Sequence, residues 1–508
     1  MRDAPLPLLV RVPDETVPTM LILVLEASTT SAKAMILDTD TFATTVLTAP
    51  YRRGDAGYGT HDADDVVSSV LELGRRVLQG RTVSAVSLVG TWHGLLLADR
   101  HLRPSSPVYL WSHSFAATTC RRLRGEQGFA AWFGERSGCG VSAIYPAFTL
   151  RRLREDAVRL GDQLVLDEGT YLNWVLTGEW LQTTCLASGS GLLNTRNRAY
   201  DDELLDWAGI RVRQLPPLTD PRQARPLSRR GARLLGLSEG APVLLTIADG
   251  ASNQLGSGAL QPGVLTVSVG TSGALRLASD TPRPPGPSTW CYVSTHGWLS
   301  GAATSGACNC LDWFRENIAG GQSSYDWLEG EGMAGDEPLF LPFIHGERSP
   351  GWDDSRRAEF RRLTAHHDLH SLYRSAQEGV LFNLLQCYEA LAEQHGTPER
   401  LRLSGGILSS PRWTQMCCDV LGRDVELDGT QQASLMGGAV LALEHLGELP
   451  SATGYAGRTA GVLTPRPEAS RRHRERYEDY QSEYATRSGR TCAATEPSVA
   501  RDHPSEHP

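Results

Sequence analysis

Apolar and polar positions follow the same plan in two parts of the chain. Leu21 to Asp38 reads LILVLEASTTSAKAMILD, an apolar run, a small hydroxyl-rich tip and a second apolar run. Val264 to Ala278 reads VLTVSVGTSGALRLA, two β-rich runs joined by Gly270-Thr271-Ser272-Gly273. Each predicts a strand-turn-strand unit, and one such unit opening each half of the chain predicts an internal duplication with two tips across a cleft. Between them, Asp62 to Leu78 has helical apolar spacing, and Val83 to Val89 predicts a strand ending at Gly90-Thr91-Trp92-His93-Gly94. Helices are expected at Ala117 to Leu123 and Tyr171 to Thr177, a close-packed small-residue segment at Thr183 to Leu193, and a Pro- and Arg-rich connector at Pro216 to Arg233.

The second half begins with Leu244 to Ala259, LLTIADGASNQLGSGA, a buried strand that stops on one acid. Asp249 therefore falls at a strand's C-terminal lip, where α/β sheets present their chemistry, and it is the first candidate for a general base. Gly301 to Gly306 is small and leads into a helix near Asn309; such a start can bind an anion or let a nucleotide approach. Ala376 to His395 predicts a long amphipathic helix, and Leu401 to Ser404 a strand opening into Gly405-Gly406, where a flat base or a ribose can approach the backbone. Beyond about Pro450 the pattern weakens. Residues 451–508 are expected to form a largely disordered tail, and residues 1–19 a disordered extension.

The tips carry the next inference. Thr29, Thr30 and Ser31 in the first, and Gly270, Thr271 and Ser272 in the second, can point backbone N–H groups and hydroxyls at a phosphate because no bulky side chain blocks the approach. Lys33 follows the first tip and is the only lysine among 49 basic residues, which fits either a selected phosphate contact or an arginine-favouring codon bias. Trp92 and His93 fit either a polyol pocket or a packed Trp beside a hydrogen-bonded His.

Composition narrows the classes. A chain of 508 residues with 40% hydrophobic and 21% charged content fits two or three globular domains. The net charge of −9 and pI near 5.9 argue against a nucleic-acid surface. No stretch reads as a membrane span or a signal peptide. The ten cysteines include Cys308 with Cys310 and Cys417 with Cys418, but no CxxC or zinc-like spacing, so reduced thiols in a cytoplasmic protein are expected.

In chain order, the segments ASTTSAKAMILD, TWHGLLLAD, YLNWVLTGEW, ASGSGLL, ADGASNQLGSGA, VGTSGALR, LPFIHGERSPGW and SGGILSSPRWTQMCCDVLGRDV carry a resemblance. The chain resembles the FGGY carbohydrate kinases, most closely their gluconokinase-type branch. That resemblance implies an α/β fold of two actin-like or hexokinase-like (ribonuclease H-like) domains, each a mixed sheet flanked by helices, with an interdomain cleft. A sugar-binding domain would span 20–242 and a nucleotide-binding domain 243–450. It implies ATP as phosphoryl donor with Mg2+, a small-molecule sugar or polyol as acceptor, and Asp249 as base. Thr29, Thr30, Ser31, Lys33, Gly270, Thr271 and Ser272 would face phosphates, and Gly301, Gly405, Gly406, Ser410 and Gln415 the adenosine. Trp92, His93, Trp111, His113, Phe115 and Asp249 would line the substrate pocket, and Glu26 and Asp249 would approach the metal through water. No nucleic-acid or membrane partner is implied; a homodimer is compatible.

Departures from the family pattern concentrate at the substrate end. Glu26 stands where an Asp is usual. In WSHSFA, Trp111 to Ala116, His113 replaces an acid and Phe115 an arginine, removing the forked donor expected to grip a carboxylate such as that of gluconate. Thr184, Gln432 and Met436 are further departures. The sequence thus predicts a kinase with an altered substrate pocket; an ordinary gluconate or ketose kinase whose pocket compensates elsewhere, and a catalytically weak sugar or nucleotide sensor, are the alternatives.

Overall fold

The structure, a computed structural model, describes residues 20–52, 59–158, 160–330 and 335–488. Leu21–Ala27 (β1) and Ser31–Asp38 (β2) form the expected hairpin, extended by Thr44–Pro50 (β3). On the other side of β1 lie Ala85–Gly90 (β4) and Pro242–Ala248 (β6) in parallel, with Ala224–Pro226 (β5) antiparallel at the edge. The order is β5-β6-β4-β1-β2-β3. The central strands are buried along almost their whole length because helices cover both faces. One cover is Ala63–Leu78 (α1), whose Asp62 cap accepts from the Asp65 N–H and whose Val66, Val70, Leu73 and Val77 face the sheet.

The second sheet repeats the scheme. Val264–Val269 (β7) and Gly273–Ser279 (β8) form the hairpin, followed antiparallel by Trp298–Thr304 (β10) and Trp290–Val293 (β9). Arg400–Ser404 (β11) and Val425–Asp428 (β12) run parallel on the far side of β7, giving the order β9-β10-β8-β7-β11-β12 before the last strand. A three-stranded antiparallel unit followed by parallel strands in both halves bears out the two actin-like domains.

Three expectations are corrected. The boundary at 242/243 cuts through the first sheet, because β6 is buried beside β4; the strand needs neighbours on both sides, and β6 finds them in the N-terminal sheet. The connector at Pro216 to Arg233 contains edge strand β5 and the start of a helix over Arg229–Leu235. The tail is ordered to residue 488: Thr459–Leu463 (β13) pairs with β12, and a helix runs over Pro467–Ser488. That helix buries only His473, Tyr477 and Tyr480, a stripe too narrow to stand out among Arg and Glu. Buried Glu378 anchors it by accepting from Arg476 at 2.6 Å and pairing with His473 at 2.8 Å. Residues 1–19 and 489–508 lie outside the described residues.

Two helices join the halves. Asp249–Gly256 (α2) follows β6, and Ala433–His445 (α3) comes from the end of the second half yet packs on β1 and β4. They cross at glycines: a Cβ at Gly256 would lie 1.9 Å from the Ala433 carbonyl oxygen, and one at Gly437 equally 1.9 Å from that of Ser252. Backbone oxygens cannot swing aside as side chains do, so any larger residue must push the helices apart. Gly437→Ala is expected to destabilise the protein by about 2–3 kcal/mol, lowering the unfolding midpoint by about 5–10 °C. Gly461→Ala, with nothing near its Cβ position, serves as the control. Equal midpoints by calorimetry would show that the crossing does not depend on glycine.

Candidate active site

Strand register creates the first feature of the site. Glu26 on β1 lies opposite Lys33 on β2, and the Lys33 ammonium sits 3.3 Å from both carboxylate oxygens. The Ser434 hydroxyl, at the start of α3, donates to the same carboxylate at 2.8 Å. Lys33, expected on a phosphate, thus rests on Glu26 and neutralises an otherwise buried acid.

The first tip is braced from outside. Tyr51 donates its hydroxyl to the carbonyls of Ser28 (2.6 Å) and Ser31 (3.0 Å), and His61 contacts the Thr29 carbonyl at 2.8 Å while its other nitrogen meets Glu168 at 3.0 Å. Trp111 donates its indole N–H to the Thr29 hydroxyl at 3.1 Å, leaving Thr30 exposed at the turn. The second tip is held by the helix Cys308–Asn317, whose Cys308 and Asn309 N–H groups donate to the carbonyls of Gly270 (2.9 Å) and Thr271 (3.2 Å). Both tips are therefore preorganised, with small hydroxyl side chains at their ends.

Asp249 is the first residue of α2, at the end of β6, as expected. One of its oxygens accepts the Gly250 N–H at 2.7 Å. Burial, and next the charge of Glu26, push its pKa up to about 6, against the pull of Arg276 and of the Gly250 and Trp92 N–H groups. That is well above the ordinary carboxylate value of about 4, so the acid is tuned toward neutrality as well as positioned.

Trp92 packs rather than presenting a free stacking face. It is buried, donates its indole N–H to the Cys185 carbonyl at 2.9 Å, and lies so close to Gly250 and Gly189 that a Cβ at either would come within 2.5 Å of the ring. The ring supports the turn that carries Asp249. His93 is half-buried, and its Nδ1 is 2.6 Å from the Gly189 carbonyl, which can only accept. Desolvation drives its pKa down to about 3, so the ring is neutral, with Nδ1–H donating and Nε2 left as an acceptor.

The sequence reading missed the wall opposite. Tyr145 and Tyr292 share a hydroxyl hydrogen bond of 2.7 Å, and Tyr292 stacks on Trp290 at 4.2 Å and meets Trp92 edge-on at 5.0 Å. Arg276 from β8 and Arg348 from the loop after Phe343 enter the same region. The Arg348 guanidinium stands 5.9 Å from the Trp111 ring, and its charge acts on His93, Tyr145 and Tyr292. Arg276 interrupts an otherwise apolar strand, which marks it in the sequence.

His113 and Phe115 stand further out. Their rings continue a line from Tyr109, with centroid distances of 4.9 and 6.0 Å, and Arg152 covers the exposed Phe115 at 5.1 Å. Among the described residues no ring or hydrogen-bond contact joins Phe115 to Trp92, His93 or Asp249.

At the other end of the cleft, Gly405 has φ +99° and a Cβ there would lie 2.4 Å from the Val269 carbonyl oxygen, just before the second tip. Glycine is therefore required by backbone packing, and that packing sets the Gly-Gly turn against the tip. Ser410 caps the helix Pro411–Leu421, accepting from the Trp413 N–H at 3.1 Å, and donates to Glu329. Gln415 donates to Asp419 and to the Thr464 carbonyl, both at 3.1 Å, beside a cavity of about 530 Å³ that Glu329, Gln377 and Arg412 also line. Gly301 is corrected: it lies mid-strand in β10, where a Cβ would come within 2.2 Å of the Trp290 ring. Its small size serves the sheet, not an adenosine.

Two sheets built on the same plan of an antiparallel hairpin flanked by parallel strands, each lending a hydroxyl-bearing tip, with Asp249 at the end of β6, define a two-domain sugar kinase of the actin-like class. The chain matches the N-terminal domain of the FGGY family of carbohydrate kinases over residues 21–256 and the C-terminal domain over 265–444, and it belongs to that family of ATP-dependent kinases. It is 26% identical to a gluconokinase of Bacillus subtilis (strain 168) over 462 residues, 85% of this chain and 89% of that one. It is 28% identical to a xylulose kinase of Streptomyces coelicolor over 433 residues, 83% and 87% of the two chains. The crystal structure of a gluconate kinase from Lactobacillus acidophilus superposes with a TM-score of 0.86 at 23% identity, covering 93% of this chain and 99% of that one. No described helix is long and apolar enough to cross a membrane.

A carboxyl whose pKa is raised by folding opposes folding once ionised. The penalty is absent below the unfolded value near 4 and complete above about 6. Asp249→Asn is accordingly expected to raise the unfolding midpoint at pH 7.5, and the gain should vanish as pH falls toward 4. A midpoint lowered at pH 7.5 would contradict the raised pKa.

Proposed function

We propose that the protein transfers the γ-phosphoryl group of ATP to a hydroxyl of a sugar, sugar acid or polyol, with Asp249 as the general base. The observation that carries this reading is an acid at the end of β6, its carboxylate fixed by the Gly250 N–H at 2.7 Å, in a fold whose two sheets each carry a preorganised hydroxyl tip; burial raises the pKa of that acid to about 6. The free oxygen of Asp249 accepts the substrate hydroxyl proton while the substrate oxygen forms its bond to the γ-phosphorus. The bridging bond to ADP breaks in the same displacement, and ADP carries away the electron pair. A base with a pKa near 6 is mostly ionised at neutral pH yet strong enough to hold the proton.

Thr29, Thr30 and Ser31 on one side, and Gly270, Thr271 and Ser272 on the other, hold the phosphates by N–H and O–H donation. Gly405, Gly406, Ser410 and Gln415, with Glu329, border the adenosine. His93, through its Nε2 acceptor, and Trp111 orient the acceptor molecule, while Trp92 supports Asp249 from behind. His113 and Phe115 are assigned to the rim of the entrance.

Mg2+ fits this arrangement as an ion carried by the nucleotide. Glu26 raises the pKa of Asp249, so the two carboxylates lie near enough to attract a cation, although Lys33 already compensates the first. When bound, the ion neutralises phosphate charge, and Glu26 and Asp249 would meet it through water. Nothing favours the sensor alternative, since the acid, both tips and the Gly-Gly turn are all in place.

ADP release from MgATP over a panel of sugar acids, ketoses and polyols tests the proposal. Asp249→Asn should lose about 10²–10⁴-fold in turnover while keeping ATP binding. For the active substrate, kcat/KM should fall about tenfold per pH unit below pH 6 and stay flat above it. Full activity of the variant, or a flat profile down to pH 5, would remove Asp249 from the role.

A further inference from the structure

The two arginines in the substrate region lack partners. Neither the Arg276 nor the Arg348 guanidinium makes a hydrogen bond or ion pair among the described residues, and the Nε of each is buried and unsatisfied. The nearest acid in sequence, Glu347, is committed to Arg356 at 3.2 Å, to the Gly351 N–H at 3.0 Å and to the Tyr484 hydroxyl. Asp249 attracts Arg276, but its carboxylate is not within ion-pair distance. Burial lowers the pKa of Arg276, and the charge of Arg348 lowers it further against the pull of Asp249. Buried guanidinium N–H groups left without an acceptor are costly unless a ligand completes them.

What surrounds them limits that anion. On one side Arg348 is bounded by the Trp111 ring, and its charge reaches His93, Tyr145 and Tyr292, which offer hydroxyls and a neutral imidazole but no carboxylate. Arg276 comes within 3.2 Å of where a Cβ would stand on Gly250, the residue after the proposed base. A molecule held by both arginines therefore places its anionic end beside the aromatic wall and a hydroxyl at Asp249.

We propose that Arg348 and Arg276 form an anion subsite that selects a sugar acid, gripping its carboxylate while Asp249 faces the hydroxyl to be phosphorylated. This rests on the kinase reading of the Asp249 cleft. The subsite supplies, from the second domain, the forked donors that position 115 lacks as phenylalanine. Carboxylate is favoured over a phosphate monoester because its planar pair of oxygens matches a guanidinium fork, and because a second dianion would lie close to the phosphates of ATP. Both arginines are specificity residues here, since Asp249 alone handles the proton.

The test compares a six-carbon aldonate, the alditol of the same skeleton and that alditol's phosphate monoester, by ADP release and by calorimetry. Wild type should show kcat/KM for the aldonate about 10²-fold or more above the alditol. Arg348→Gln should cut the aldonate-to-alditol ratio about 30-fold or more, chiefly through KM, and Arg348→Lys should restore part of it. Arg276→Gln should lower the same ratio. Wild type preferring the alditol or the phosphate monoester, or a ratio unmoved by Arg348→Gln, would overturn the subsite. A rise in the KM for ATP alone in Arg276→Gln would assign that residue to the nucleotide and overturn its half of the proposal. Aldonate binding kept in Asp249→Asn and lost in Arg348→Gln, with no ADP release from wild type on any substrate, would uphold the subsite and remove the kinase reading. ADP release with neutral sugars only would do the reverse.

Discussion

The crossing of α2 and α3 fixes the geometry on which the rest depends. Gly256 and Gly437 let two backbones meet at a distance that no side chain permits, and α2 begins with Asp249. The other helix begins beside Ser434, whose hydroxyl holds Glu26. One close contact thus ties the helix that begins at Asp249 to the helix whose Ser434 holds Glu26. Because α3 comes from the end of the second half but packs on the first sheet, the chain closes on itself at the cleft.

Charge is distributed along that cleft in a definite sequence. Glu26 is answered by Lys33 across a strand pair and by a serine hydroxyl. Asp249 is answered only at a distance, by Arg276, and its pKa rises accordingly. Arg348 meets the Trp111 ring but no acid among the described residues. The compensation becomes poorer from the structural end of the cleft to the substrate end. Groups that support are paired, and groups that meet ligands are left in demand.

Much of this was legible in the chain where local pattern suffices. The hairpins at Leu21 to Asp38 and Val264 to Ala278, and Asp249 at a strand end, follow from apolar runs interrupted by small residues. Local pattern fails where one feature has two physical causes. Gly301 sits in a small-residue run that reads like a turn, but its size answers to the Trp290 ring across the sheet. The Pro467–Ser488 helix hides because three buried side chains suffice to dock it, while its remaining face is charged. Trp92 and His93 are adjacent in sequence yet do different work, one packing under a turn and one keeping a free acceptor. Arg276 and Arg348 were in plain view, but only the fold shows that each carries a buried Nε without a partner.

The ion pair at the first hairpin has a chemical consequence outside catalysis. Since Lys33 is the chain's only lysine, its ε-amine is the sole side-chain primary amine in 508 residues, and 22% of its side chain is exposed. Acylating reagents, reductive methylation or an isotopically labelled lysine would each mark the protein at this one side chain. An NMR or fluorescence signal placed there reads the Glu26 contact without background from any other residue of its type. The same economy exposes the protein to one modification: acetylation at Lys33 would strip Glu26 of its cation beside Asp249, where no second lysine stands to replace it.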